Sequence, residues 1–178
     1  MSEVLRPHLK LEISAHEKEF EQSSRDICSF VNELSQNNAE TRILCVDPMQ
    51  TAADKFSALV WRINAKDRKK PRGSTQNDPT IMRHLHDLVA LRGYVSDHRF
   101  KSICEDSLKK DMGRSDITDS IDDHIKKSLS TLITDKIYSK EYEAFVETVS
   151  YEKKDKRILF KEACKEFEKI CFTMIETK

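Results

Sequence analysis

The chain has 178 residues, 35% of them charged and 38% hydrophobic, with three glycines and four prolines. Lysine plus arginine and aspartate plus glutamate both number 31, so no overall field draws the chain to nucleic acid, an anionic membrane or an acidic substrate. The length suits one domain, or one domain with a short attached helical part, and a core that needs no staples.

No apolar run reaches the roughly 18 residues of a membrane span, and Met1-Ser2-Glu3-Val4 lacks the apolar core of a signal peptide. The five cysteines, Cys28, Cys45, Cys104, Cys164 and Cys171, form no Cys-x-x-Cys pair. They are expected to be reduced, buried, small hydrophobes of a cytoplasmic protein. Scarce glycine and proline beside abundant lysine, glutamate and leucine-type residues predict a mainly α-helical α+β chain.

In chain order, Leu9, Leu11 and Ile13 alternate with His8, Lys10 and Glu12, the period of a half-buried strand over 8–14. Ile27, Phe30, Val31 and Leu34 recur at helical spacing and predict a helix over 24–36. Ile43-Leu44-Cys45-Val46 is a short apolar run before Asp47-Pro48, which suits a strand over 42–47 buried on both faces and parallel to the first. A helix follows over 51–65 on Ala52, Phe56, Leu59, Val60 and Ile63. It runs into the basic stretch Lys66 to Arg72 and the loop-like Gly73-Ser74-Thr75-Gln76-Asn77, where an internal boundary falls. Residues 1–72 are expected to form an α/β region and residues 78–178 a helical bundle.

Asp78-Pro79 reads as an N-cap followed by proline at the first helical position, opening a helix that carries Ile81, Leu85, Leu88 and Val89 to near Gly93. Further helices follow on Phe100, Ile103, Cys104 and Leu108, then from Ile117 to Ile133, then from Tyr142 to Val149, and last from Phe160 to Met174.

Glu12, between two apolar residues on a strand, suits a metal ligand or general base, with Lys10 on the same face to meet a phosphate–metal complex. The plainer alternative is a solvent face bearing a weak ion pair. Lys55 and Arg62 lie two helical turns apart on one side. There they suit a grip on a triphosphate or an RNA backbone, or else are stems snorkelling beside the apolar stripe. Arg83 and Asp87 have the i,i+4 spacing of an ion pair. No phosphate-binding GxxxxGK[ST] loop, GxSxG elbow or HExxH helix occurs.

Three of these segments, in order, resemble the AbiEii/AbiGii nucleotidyltransferase toxin family. They are Leu11-Glu12-Ile13, the stretch from Thr51 through Lys55 to Trp61-Arg62, and Arg83-His84-Leu85-His86-Asp87-Leu88. The motif resemblance covers about residues 5 to 95. It implies a polymerase-β-like sheet followed by helices, transfer of a nucleotidyl group from a nucleoside triphosphate, and Mg²⁺ ions held by carboxylates. Glu12 then matches a catalytic and metal-binding carboxylate and Lys10 a basic residue on its strand, while Lys55, Arg62, Arg83 and Asp87 match polar positions lining the substrate cleft. A nucleoside triphosphate, RNA and a cognate antitoxin are the implied partners, and an unpaired edge or uncovered apolar face on the Leu9-Leu11-Ile13 strand is expected to favour a second copy of the chain.

The family's Gly-Ser motif and Asp-x-Asp pair precede its glutamate strand, and only eleven residues precede Glu12 here. Gly73-Ser74 lies in the wrong place and residue 85 is leucine. The expectation is therefore a truncated relative that binds nucleotide with little or no transfer. The rival from another class is a non-catalytic helical protein-interaction module.

Overall fold

A computed structural model describes residues 21–65, 81–95, 98–113, 119–149 and 156–175. Its elements are β1 (Gln22–Ile27), α1 (Phe30–Leu34), β2 (Thr41–Val46), α2 (Pro48–Ala65), α3 (Ile81–Ala90), α4 (His98–Met112), α5 (Ile121–Thr134), α6 (Lys136–Val149) and α7 (Phe160–Ile175), with a 3₁₀ turn at Arg92–Tyr94. This is the α+β, mainly helical architecture that the composition implies, and among the described residues the regular elements beyond residue 95 are all helical. The expected strand over 8–14, the start signal Asp78-Pro79 and the boundary near 66–77 lie outside the described residues.

The N-terminal part differs from the sequence reading. Where a helix over 24–36 is predicted, β1 pairs antiparallel with β2, from Gln22 opposite Val46 to Ile27 opposite Thr41. Ser23, Ser24, Arg25 and Asp26 carry no apolar alternation. Their strand conformation comes from the backbone ladder with the β-branched and apolar run of β2, a tertiary choice that local periodicity does not encode. The helix shrinks to the five residues of α1. It is capped by Ser29, whose hydroxyl accepts from Asn32 N–H, and it ends before Gln36, held at a φ of 54°.

Glu40 closes the neck of the hairpin. Its carboxylate accepts from the Ser29 backbone N–H at 2.8 Å and from the Ser29 hydroxyl, and its own N–H donates to Ile27 O at 3.0 Å. The hydrogen bonds to Ser29 hold the Glu40 carboxyl below its ordinary range.

α2 starts a turn earlier than expected. Asp47 accepts the Met49 N–H at 2.8 Å and Pro48 occupies the first helical position, the same cap-then-proline signal as Asp78-Pro79. Ser120 caps α5 by accepting from Asp123 N–H, and Asp135 alone separates α5 from α6, accepting from Ile137 N–H at 3.0 Å.

One buried cluster takes Phe56, Leu59 and Val60 from α2, Leu85 and Leu88 from α3, Phe100 and Leu108 from α4, Ile125 and Leu132 from α5, Tyr138 and Tyr142 from α6, and Phe167 and Ile170 from α7. Phe56 and Phe167 meet with ring centroids 5.5 Å apart, a contact that adds to the area both rings bury. None of these residues comes from the hairpin. Its large apolar residues, Ile27, Phe30, Val31, Leu34, Ile43, Leu44 and Val46, are all exposed. The hairpin continues into the helices through Asp47, and Glu21 beside β1 pairs with Arg99 of α4 at 3.2 Å.

Candidate functional site

α2 turns a different polar residue toward each neighbouring helix, because 18 residues at 100° per residue present all sides of the cylinder. Toward α3 it presents Lys55. The ammonium Nζ lies 2.8 Å from Asp87 Oδ2, and the two side chains keep 27% and 31% of their surface exposed. The structure thus brings two of the predicted site residues together, across helices, where i,i+4 spacing pointed to Arg83 as the partner of Asp87.

Arg62 follows two turns along α2, about 10.5 Å away by helical rise, and is half-buried. Arg83 stands one turn before Asp87 on α3 and is exposed. The four residues carry three positive charges against one negative, on two helices that share a core. A carboxylate that fixes an ammonium at a partly exposed surface limits its rotamers while leaving N–H donors for a second acceptor. That arrangement suits the oxygens of a phosphate chain. Glu12 and Lys10 lie outside the described residues.

Toward α4, α2 presents a polar seam that sequence reading missed. Gln50 Nε2 and Ser107 Oγ both donate to Asp54 Oδ1, at 3.0 and 2.9 Å, and the fully buried Ser57 donates through Oγ to Asp111 Oδ2 at 2.7 Å. The signal was present: Gln50, Asp54 and Ser57 fall at i, i+4 and i+7, one helical face. Toward α5, Asn64 Nδ2 donates to Val60 O and to His124 O, both at 3.0 Å.

Toward α6, α3 offers His86, whose ring packs 6.3 Å from Tyr142 and 5.7 Å from Phe145. Burial raises the Tyr142 phenol above its ordinary range and leaves its hydroxyl without a hydrogen-bond partner among the described residues.

The cysteines divide in a way the sequence did not foretell. Cys104 and Cys171 are buried, Cys45 and Cys164 half-buried, and Cys28 is exposed, all as free thiols. Burial pushes the Cys104 and Cys171 thiols well up, and burial with the nearby Glu168 pushes Cys164 up to about 12. All three stay protonated near neutrality, which suits packing and not nucleophilic chemistry.

Among the described residues, no three His, Cys, Asp or Glu side chains converge closely enough to hold a metal ion. Glu12, the metal-binding carboxylate that the resemblance implies, lies outside these residues. Also among the described residues, no helix is long and apolar enough to cross a membrane.

Compared with known proteins, residues 1–170 match the model of the family described as Nucleotidyl transferase AbiEii toxin, Type IV TA system. Neither a curated protein nor a solved structure matches the chain.

Proposed function

The chain belongs to the AbiEii nucleotidyltransferase toxin family, and from that premise we propose that it binds the phosphate chain of a nucleoside triphosphate between α2 and α3. Lys55 contacts the phosphates while Asp87 orients it, and Arg62 and Arg83 flank them. The single observation that carries this reading is the Lys55–Asp87 pair at 2.8 Å with both partners still part-exposed. The remaining exposure leaves ammonium N–H donors that Asp87 does not use open to the oxygens of a triphosphate.

Transfer itself would draw on Glu12 as metal-binding carboxylate and Lys10 as its basic neighbour, with Mg²⁺ neutralising the phosphates when bound. The 178 residues contain no Asp-x-Asp pair. Binding with weak or no transfer by this chain is accordingly the outcome we propose. The family is one of toxin–antitoxin systems, so an antitoxin is the expected protein partner. RNA is a proposed acceptor. The cytoplasm is the proposed compartment, in keeping with the free thiols.

The test is calorimetric titration of the four ribonucleoside triphosphates, with Mg²⁺, into the full chain and into Lys55→Ala, alongside a label-transfer assay on RNA and on protein. Binding by the parent that weakens at least about tenfold in Lys55→Ala, the loss of one charge-assisted phosphate contact, supports the reading. Equal binding by both, or none by either, removes it. Robust transfer by this chain would refute the weak-transfer part alone.

The second reading, a protein-interaction module, is favoured by the hairpin tip, where Phe30 and Leu34 are 82% and 85% exposed. Retained partner capture in a Lys55→Ala variant that binds no nucleotide would separate the two.

A further inference from the structure

α3 does not run out into a slack loop. Leu91 N–H donates to Asp87 O at 3.0 Å, and Tyr94 N–H then donates to Leu91 O at 2.9 Å, so the 3₁₀ turn follows α3 directly. Arg92 Nη1 donates back to Val89 O at 3.1 Å, which covers an end carbonyl of the helix with a guanidinium. Leu91 and Val95, on either side of the turn, pack against the buried cluster, and the turn itself lies against α2. Held at both ends, it presents Arg92, Gly93 and Tyr94 as three consecutive exposed residues.

The fold does not account for two of them. Tyr94 is 42% exposed, so much of its ring lies outside the core. Among the described residues, a Cβ at Gly93 would meet nothing within 4 Å, and the φ of Gly93 is not left-handed. Neither crowding within the chain nor backbone conformation calls for glycine there. A bare backbone beside an exposed ring is what allows a flat ligand to approach closely.

We propose that this turn is a nucleobase platform, on which Tyr94 stacks the base of the triphosphate whose phosphates Lys55 contacts. The inference rests on that reading of the α2–α3 pair and adds recognition of the base. Asp87, whose carboxylate orients Lys55, accepts the Leu91 N–H through its carbonyl, so the turn begins one helical turn from the pair. The rise from Asp87 to Tyr94 is no more than about 12 Å, within the span from the terminal phosphate of a nucleoside triphosphate to its base. Every base has a π-face, so stacking accepts all four and favours the larger purines. Arg92 keeps guanidinium donors that Val89 O does not use, in place for acceptor atoms of the base or ribose.

The test is calorimetric titration of the full chain, with Mg²⁺ and three probes. They are adenosine triphosphate, inorganic tripolyphosphate, and a short single-stranded oligoribonucleotide without a terminal phosphate. Tyr94→Ala should weaken adenosine triphosphate about tenfold and leave tripolyphosphate unchanged. Tyr94→Phe keeps the ring and should restore the parent affinity. Gly93→Val places a side chain where the chain has room for it, so the thermal midpoint should hold while adenosine triphosphate binding falls. Lys55→Ala, by contrast, should weaken both phosphate ligands.

Equal adenosine triphosphate binding by the parent and Tyr94→Ala overturns the platform. The Lys55 reading then stands on its own if Lys55→Ala still weakens both ligands. Equal losses of both phosphate ligands in Tyr94→Ala, or a parent that binds adenosine triphosphate no more tightly than tripolyphosphate, also overturn the platform. Loss of oligoribonucleotide binding in Tyr94→Ala, with adenosine triphosphate unaffected, gives the ring to an RNA base and overturns the assignment made here. Failure of the parent to bind either phosphate ligand removes both readings.

Discussion

The side-chain amide of Asn64 on α2 donates to the main-chain carbonyl of His124 on α5 at 3.0 Å, seating that histidine in the core. His124 is 1% exposed. Neither ring nitrogen, nor Asn64 Oδ1, has a hydrogen-bond partner among the described residues. Desolvation lowers the His124 pKa, with Asp119 opposing the shift and Lys127 adding to it.

The sign of the linkage follows. A histidine held neutral in the folded state binds more protons when unfolded, so stability rises with pH. The contribution is full above the unfolded value of about 6.5 and is lost as pH falls from there through the lowered folded value. Urea unfolding should therefore show a stability loss between pH 7.5 and pH 5 that is smaller in His124→Phe. An equal loss in both proteins would remove His124 as its source.

At the α2–α3 pair, stability and binding should separate. A part-exposed ion pair contributes about 1 kcal/mol or less to folding. Asp87→Ala should thus shift the denaturation midpoint little while weakening triphosphate binding several-fold, because Lys55 loses its orientation. Coupling between Lys55→Ala and Asp87→Ala in a double-mutant cycle on stability should stay below about 1 kcal/mol.

Ser57→Ala tests the polar seam. The variant removes from the Asp111 carboxylate the one donor that Ser57 supplies, at 2.7 Å, and the expected cost of losing this hydrogen bond to a charged group is about 1–3 kcal/mol of stability, read by chemical denaturation. A change within about 0.3 kcal/mol would show that water replaces the hydroxyl freely.

Phe56→Ala removes one ring of the Phe56–Phe167 contact from a site with no exposure. The expected loss is about 3–5 kcal/mol, a large share of the total for a domain of this size. Thermal unfolding of the variant checks it.

The helices were legible because each carries an apolar stripe at 3.6-residue spacing, and α7 shows the pattern plainly in Ala163, Phe167, Ile170 and Met174. β1 was not legible. Its residues are polar, and its conformation exists only through pairing with β2. Lys55 and Asp87 could both be singled out from residue type and position. Their mutual contact could not, because it depends on how α2 and α3 pack and not on the spacing within either helix. The buried position of Ser57 was concealed for the same reason. Its side chain is too small to disturb the apolar stripe it sits beside.

Asp135 stands alone between two helices. Its backbone N–H closes α5 on Thr131 O at 3.0 Å, and its carbonyl receives Tyr138 N–H at 3.2 Å in the first turn of α6, with Leu132 and Tyr138 buried on either side. No slack is left at this corner, so neither helix can fray inward without pulling a core side chain of the other. α5 and α6 should therefore open and close as one cooperative foldon, with a common free energy of local opening.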